Sequence, residues 1–279
     1  MSNSHRLFLI TGVASGFGRA FAEAALAAGH TVVGTVRTEA ARIAFERLHE
    51  SHAHGVILDV TELSAVAPTV DKVVERYGPI DVLVNNAGYG HEGTMEESSL
   101  DDLLKQFQVN VFGAVAMMKA VLPGMRNRRA GHIFNITSMA GHVGLPGITY
   151  YAGSKFALEG ISQALAAEVR GFGIKVTAVA PGSFRTDWAG RSMVRTERSI
   201  DDYDAVFTQI RENRLAKNGK QAGDPAKAAA VLLSLVENED PPTSLLLGND
   251  AFDLVTNRLA SLDAAFHDWE AISRSTDFS

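Results

Sequence analysis

Tyr151 and Lys155 stand four residues apart in Tyr-Ala-Gly-Ser-Lys, at the start of a helix-period stretch, so both side chains fall on one helical face. An ammonium one turn from a phenol favours the phenolate and draws a pKa of about 10 toward neutrality, as a general acid/base requires. Upstream, the β-rich run 132–137 delivers Ser138 at its carboxyl end. A hydroxyl there can hold a substrate carbonyl against the tyrosine. Taken singly, the Tyr–Lys pair reads as ordinary helix surface and the serine as a turn former. Tyr150 offers no rival pair, because residue 154 is serine. In this order the three residues describe proton transfer at a carbonyl or alcohol oxygen.

A second chemical feature lies near the amino end. The first strand-like run ends in Thr11-Gly-Val-Ala-Ser-Gly-Phe-Gly18, and a helical pattern follows at once. Gly12 suits a tight turn, Gly16 lets the backbone approach a pyrophosphate, and Gly18 permits close helix–strand packing. The spacing is G-x-x-x-G-x-G rather than the commoner G-x-G-x-x-G. The second strand closes on Thr35-Val36-Arg37-Thr38. The acid that usually binds the ribose hydroxyls of NAD is missing there, and a guanidinium suited to a 2′-phosphate follows. NADP(H) is therefore favoured, with NAD(H) as the alternative; the plain reading of Arg37 is a solvated cation.

These groups need a frame. Apolar runs at 7–11, 31–36, 55–58, 82–85, 132–137, 176–180 and 244–247 alternate with helical patterns at 17–28, 40–50, 62–77, 100–125, 152–172 and 226–236. Several runs lack polar alternation, as strands covered on both faces do. The alternation predicts an α/β fold, a parallel sheet with helices on both sides, in one domain over 1–279. Residues 183–223 break the rhythm and read as a substrate-loop insertion, and 249–273 as a C-terminal helix. Its stripe of Phe252, Val255, Leu259, Leu262, Phe266 and Trp269 is expected to pack, across a subunit boundary if not within the chain.

Composition removes other classes. The 279 residues carry a net charge of −6, which gives no basic field for nucleic acid. There is no cysteine, hence no disulfide, thiolate metal site or thiol nucleophile. Nine histidines occur without ligand spacing, so no metal is assigned. The start lacks the apolar core of a signal peptide and no apolar run is judged long enough to span a bilayer. The expectation is a cytoplasmic protein with neither membrane nor nucleic acid as partner.

With these motifs in place, the chain resembles the short-chain dehydrogenase/reductase family, in its single-domain branch. The resemblance covers about 7–247 and rests on the glycine loop, Asp59, Asn85-Asn86-Ala87-Gly88, Asn110, Ser138, Tyr151-x-x-x-Lys155 and Pro181-Gly182. It implies a Rossmann-type doubly wound three-layer αβα sandwich on a seven-stranded, mainly parallel sheet. It also implies that Tyr151 is the acid/base, that Lys155 binds the nicotinamide ribose and lowers the tyrosine pKa, and that Ser138 orients the substrate oxygen. Asn110 would hold a water linking Lys155 to solvent. Gly12, Ser15, Gly16, Phe17, Gly18, Arg37, Asp59, Val60, Asn86, Ala87, Gly88, Pro181, Gly182, Phe184 and Thr186 would join Tyr151 and Lys155 around the cofactor. Bland readings stand beside these: Asp59 as a helix cap, Asn86-Ala87-Gly88 as a turn, Asn110 as structural.

The expected activity is hydride transfer between NADP(H) and a carbonyl or secondary alcohol; the competing reading is a non-catalytic NADP(H)-binding regulator. Phe184, Trp188, Met193 and Val143 suggest a pocket for a substrate of apolar character. His91 and His142 read as solvent-facing loop residues, and Met117 and Met118 as packing. The helix at 152–172 has a small stripe (Gly160, Ala164, Ala167, Gly171) opposite Leu158, Ile161, Leu165 and Val169. Two such faces, with the family's four-helix interface, imply a homodimer or homotetramer.

Overall fold

The computed structural model describes residues 5–186, 188, 190 and 192–278; Asp187, Ala189 and Arg191 of the predicted insertion lie outside them. Seven strands form one sheet: β1 (Leu7–Thr11), β2 (Thr31–Val36), β3 (Ala53–Ile57), β4 (Val82–Asn85), β6 (Gly131–Ile136), β7 (Ile174–Pro181) and β9 (Ser244–Leu247). Their spatial order is β3-β2-β1-β4-β6-β7-β9, and every pairing is parallel. All five β1 residues are buried, as the unbroken apolar run requires. The chain works outward from β1 to β3 and then resumes at β4 on β1's other side. The order of strands therefore reverses between β1 and β4, where their carboxyl ends open a crevice.

Helices cover both faces. On one, α1 (Gly16–Ala27) and α8 (Pro225–Val236) pack Phe21, Ala25, Ala229 and Leu232 against Phe8, Ile10, Val84 and Phe134. On the other, α3 (Leu63–Tyr77), α5 (Ala114–Arg128) and α6 (Thr149–Val169) bring Val70, Met117, Met118, Val121 and Leu158 onto Leu9, Leu83 and Ile133. The helix expected at 40–50 is α2, Glu39–Glu46, capped by the Thr38 side chain. β3 begins two residues earlier than expected, because Ala53 already pairs with Val32 while the polar His54 interrupts the apolar pattern.

The helix expected at 100–125 is three pieces: α4 (Leu100–Phe107), a π-helical turn Gln108–Gly113, and α5. Together they run Leu100–Arg128, long and apolar enough to cross a membrane by length and composition alone, which the sequence reading did not expect. Here Met117, Met118, Val121 and Met125 instead face the sheet.

A second, two-stranded parallel sheet pairs β5 (Gly90–Glu92) with β8 (Met193–Arg195). Neither strand was anticipated, because three residues carry too little pattern. The amphipathic part of the insertion forms α7, Asp204–Ala216. The C-terminal segment is α9 (Asn249–Asp268) and α10 (Glu270–Arg274). Within the chain only part of its stripe packs: Val255 is buried, as is the neighbouring Ala251, while Phe252, Leu259, Phe266 and Trp269 are exposed. Only the first turns of α9 meet the sheet edge.

Candidate active site

At the β1/β4 crevice lies a cleft of about 930 Å³. Of the residues singled out from the sequence, Gly12, Ser15, Gly16, Phe17, Arg37, Asp59, Val60, Asn86, Ala87, Gly88, Ser138, Tyr151, Lys155, Pro181, Gly182, Phe184 and Thr186 line it. Gly18 and Asn110 do not, and each has a supporting place behind the wall.

The glycine loop is clamped from β4. Asn86 Nδ2 donates to the carbonyls of Thr11 (2.9 Å) and Gly12 (3.0 Å), and the Asn86 and Ala87 amides both donate to Thr11 Oγ1 at 2.9 Å. Asn86 thus acts first as a brace for the loop. Gly12 has φ +74°, and a Cβ at Gly18 would sit 2.3 Å from the Gly12 carbonyl oxygen; this contact, rather than one with cofactor, requires Gly18. Ser15 occupies the N-cap of α1 without a side-chain cap bond, so the first amides of the helix remain for an anion. Arg37 is exposed at the cleft wall and has no ion-pair or hydrogen-bond partner among the described residues. The neighbouring Arg42, by contrast, is held by Glu39 and Glu46. Glycines at Gly12 and Gly16, free helix amides and an unengaged guanidinium at the cleft wall fit a dinucleotide.

Across the cleft, Pro181 ends β7 and the chain turns sharply. Gly182 N donates to Leu247 O and Ser183 N to Asp250 Oδ2, both at 2.8 Å. The Phe184 ring then meets Phe17 at 5.0 Å between centroids, tying this loop to the glycine loop. Asp59 does not cap α3: its Oδ1 accepts from the amide and hydroxyl of Thr61, while Glu62 takes the N-cap position.

Tyr151 and Lys155 share a face of α6 as the spacing predicts, and Ser138, at the end of β6, joins them in the cleft. Their electrostatics differ from expectation. Lys155 Nζ donates to Ile136 O at 2.8 Å and lies 5.7 Å from the Tyr151 ring centroid. Burial pushes the Tyr151 phenol up to about 12, opposed by the side chains of Ser138 and Trp188. Burial likewise lowers Lys155 to about 8, opposed by Glu159. The protein alone therefore keeps the phenol protonated. Such a group is a proton donor, suited to receiving an oxyanion.

Both hydrogens of the Asn110 amide are engaged. It exchanges hydrogen bonds with the Tyr89 amide and carbonyl, both at 3.1 Å, and its Nδ2 donates to Ser154 Oγ, which donates to Tyr151 O. Asn110 is therefore tied to α6 through Ser154.

Several site residues escaped the sequence reading. Glu159, one turn beyond Lys155 and 3% exposed, accepts from Thr137 Oγ1 at 2.5 Å and faces His142 Nε2 at 3.2 Å. Its place on the Tyr151–Lys155 face, four residues further on, was the available clue. Leu145, Ile148, Trp188, Val194, Arg214 and Lys217 also line the cleft, with Trp188 5.1 Å from the Tyr151 ring. Of the four predicted pocket residues, Phe184 and Trp188 line the cleft; Met193 packs within β8 and Val143 is buried elsewhere. His91, expected in solvent, is buried against Tyr150 and Thr196. His142 is partly buried beside Glu159.

Known proteins share this fold. A family model described as short chain dehydrogenase matches residues 6–196. An oxidoreductase of Botryotinia fuckeliana is 36% identical over 269 residues, 96% of this chain and 98% of that protein. The 3-ketodihydrosphingosine reductase of Bacteroides thetaiotaomicron is 37% identical over 245 residues, 87% and 88% of the two chains. The crystal structure of a short-chain dehydrogenase from Streptomyces avermitilis superposes with a TM-score of 0.92 at 41% identity, covering 99% of this chain and 100% of that one.

Proposed function

Since the chain belongs to the short-chain dehydrogenase family, we propose that it is an NADP(H)-dependent oxidoreductase interconverting a carbonyl and a secondary alcohol, with Tyr151 as general acid/base. The observation that carries this reading is the meeting of Ser138, Tyr151 and Lys155 in the same cleft as the glycine loop and Arg37. The bound nicotinamide supplies or accepts the hydride. Arg37 would hold the 2′-phosphate, with the α1 amides and the Gly12–Gly16 backbone against the pyrophosphate. Ser138 orients the substrate oxygen, and Tyr151, which burial keeps protonated, gives that oxygen its proton in reduction. Lys155, held cationic by Glu159, would meet the nicotinamide ribose and stabilise the phenolate that remains.

Leu145, Ile148, Trp188 and Val194 support a substrate of apolar character; the name of the Bacteroides relative accords with a lipid-like ketone. We further infer self-association through α6, whose residues Gly153, Phe156, Gly160, Ala164 and Ala167 are exposed opposite the buried Leu158 and Val169. Light scattering tests this; a monomer at working concentration refutes it.

The activity test follows NADPH oxidation with a panel of ketones and aldehydes. Tyr151→Phe should bind NADPH as the wild type does and lose about 10²–10⁴-fold in turnover, the share that general acid catalysis supplies. Turnover unchanged in this variant would remove Tyr151 from the role.

A further inference from the structure

The chain as a whole is acidic, with net charge −6, yet its cleft is not. The described lining residues include Arg37, Lys155, Arg214 and Lys217, against Asp59 as their carboxylate. Arg37 and Lys155 have duties toward the cofactor. Arg214 and Lys217 have none there: they come from the end of α7, in the insertion, and lie three residues apart on one side of that helix.

Arg214 is held in place by an unusual arrangement. Glu92, fully buried in β5, receives Arg214 Nη1 at 2.5 Å and also faces Arg211 at 3.2 Å and Arg195 at 3.3 Å. Arg211 and Arg214 share this one carboxylate, so their two charges exceed its single negative charge. A lysine at a helix C-terminus is favoured by the dipole alone, which would account for Lys217 but not for three arginines gathered on Glu92. The same cleft is lined by the apolar Leu145, Ile148, Trp188 and Val194, with Trp188 against the Tyr151 ring.

We propose that Arg214 and Lys217 form an anion subsite in the wall of the cleft, and that the substrate is a carbonyl compound with an apolar middle and a terminal carboxylate or phosphate. The proposal rests on the carbonyl–alcohol reading above. A guanidinium oriented in advance by a buried carboxylate loses little freedom on meeting an oxyanion, and its bond is charge-assisted. A substrate ending in an ammonium would be repelled at the same place.

The test compares three medium-chain ketones that differ only at the far end: a carboxylate, its methyl ester and the corresponding amine. The carboxylate should be preferred over the ester by about tenfold in kcat/KM, a difference that one charge-assisted contact can supply. Lys217→Glu, at an exposed position, should bring that ratio toward one or reverse it. Equal use of acid and ester by the wild type would overturn the subsite while leaving the carbonyl reading intact. A raised KM for NADPH in Lys217→Glu with an unaltered acid-to-ester ratio would reassign the lysine to the cofactor and also overturn it.

A binding measurement independent of turnover separates the two readings. Calorimetric titration of dodecanoate and of dodecyl phosphate into the NADPH-bound enzyme should show affinity that falls with added salt and weakens in Lys217→Glu. The ligand bound more tightly identifies the oxyanion. If no ketone is turned over but this binding depends on Lys217, the subsite stands and the carbonyl reading fails. Binding that is indifferent to the variant and to salt sinks the subsite.

Discussion

Lys155 Nζ lies 5.7 Å from the centre of the Tyr151 ring and donates to the Ile136 carbonyl at 2.8 Å. The two side chains are thus neighbours whose ionisation is governed by burial more than by each other. Tyr151 is raised to about 12 and Lys155 lowered to about 8. Both shifts favour the neutral form, as expected of groups withdrawn from water.

Those shifts make the stability of the cofactor-free protein pH-dependent in a defined way. Between about 8 and the ordinary lysine value, the unfolded chain binds the Lys155 proton and the folded one does not, so stability rises with pH across that window. From the ordinary tyrosine value up to about 12 the folded chain retains the Tyr151 proton that the unfolded one has lost, so stability then falls. Urea unfolding at successive pH values should show the rise, and Lys155→Met should abolish it. An unchanged rise in that variant would assign it to other groups.

Glu159 opposes the depression of Lys155. Glu159→Gln removes that support, lowering the lysine further, so the alkaline limb of the kcat/KM profile should move to lower pH. NADPH binding at pH 6 separates this from general damage to the fold, since Lys155 is cationic there in either protein. A profile that keeps its limb in place would leave Glu159 a packing residue only.

Arg37 has no protein partner among the described residues, and removing it should cost little stability. Arg37→Ala should lower kcat/KM for NADPH by about 10–100-fold, the worth of a hydrogen bond to a charged group at about 1.5–3 kcal/mol, and leave NADH use nearly unchanged. An equal loss with both cofactors would argue against a 2′-phosphate contact.

At Gly18 a methyl group would meet the Gly12 carbonyl oxygen at 2.3 Å and Asn86 Nδ2 at 2.4 Å. Gly18→Ala should therefore destabilise the protein by about 1–3 kcal/mol, the usual cost of overpacking, and weaken NADPH binding through the displaced loop. Thermal unfolding with and without NADPH measures both; a wild-type midpoint in each condition would contradict the packing described here.

Much of the site could be read along the chain because its parts are local. Tyr151 and Lys155 are one turn apart, Gly12, Gly16 and Gly18 occupy one turn between a strand and a helix, and Ser138 follows a strand directly. The unalternating strands announced a sheet covered on both faces. What was misread depended on distance. The helix at 100–125 held no break in its apolar pattern, because the π-turn at Gln108–Gly113 accompanies contacts that Asn110 makes with Tyr89 and Ser154. The stripe on α9 has the right period for packing, but within the chain only its first turns find a surface.

The amino-acid sequence by itself determined the fold class and which elements carry the glycine loop, Ser138, Tyr151 and Lys155, since periodicity and short spacing control which side chains share a strand face or a helix face. Tertiary structure alone decided how those groups are charged and what surrounds them. Burial of Tyr151 and Lys155 is set by every element packed over them. Likewise Glu92 gathers Arg195, Arg211 and Arg214 from about a hundred residues away, a proximity that only the folded chain creates.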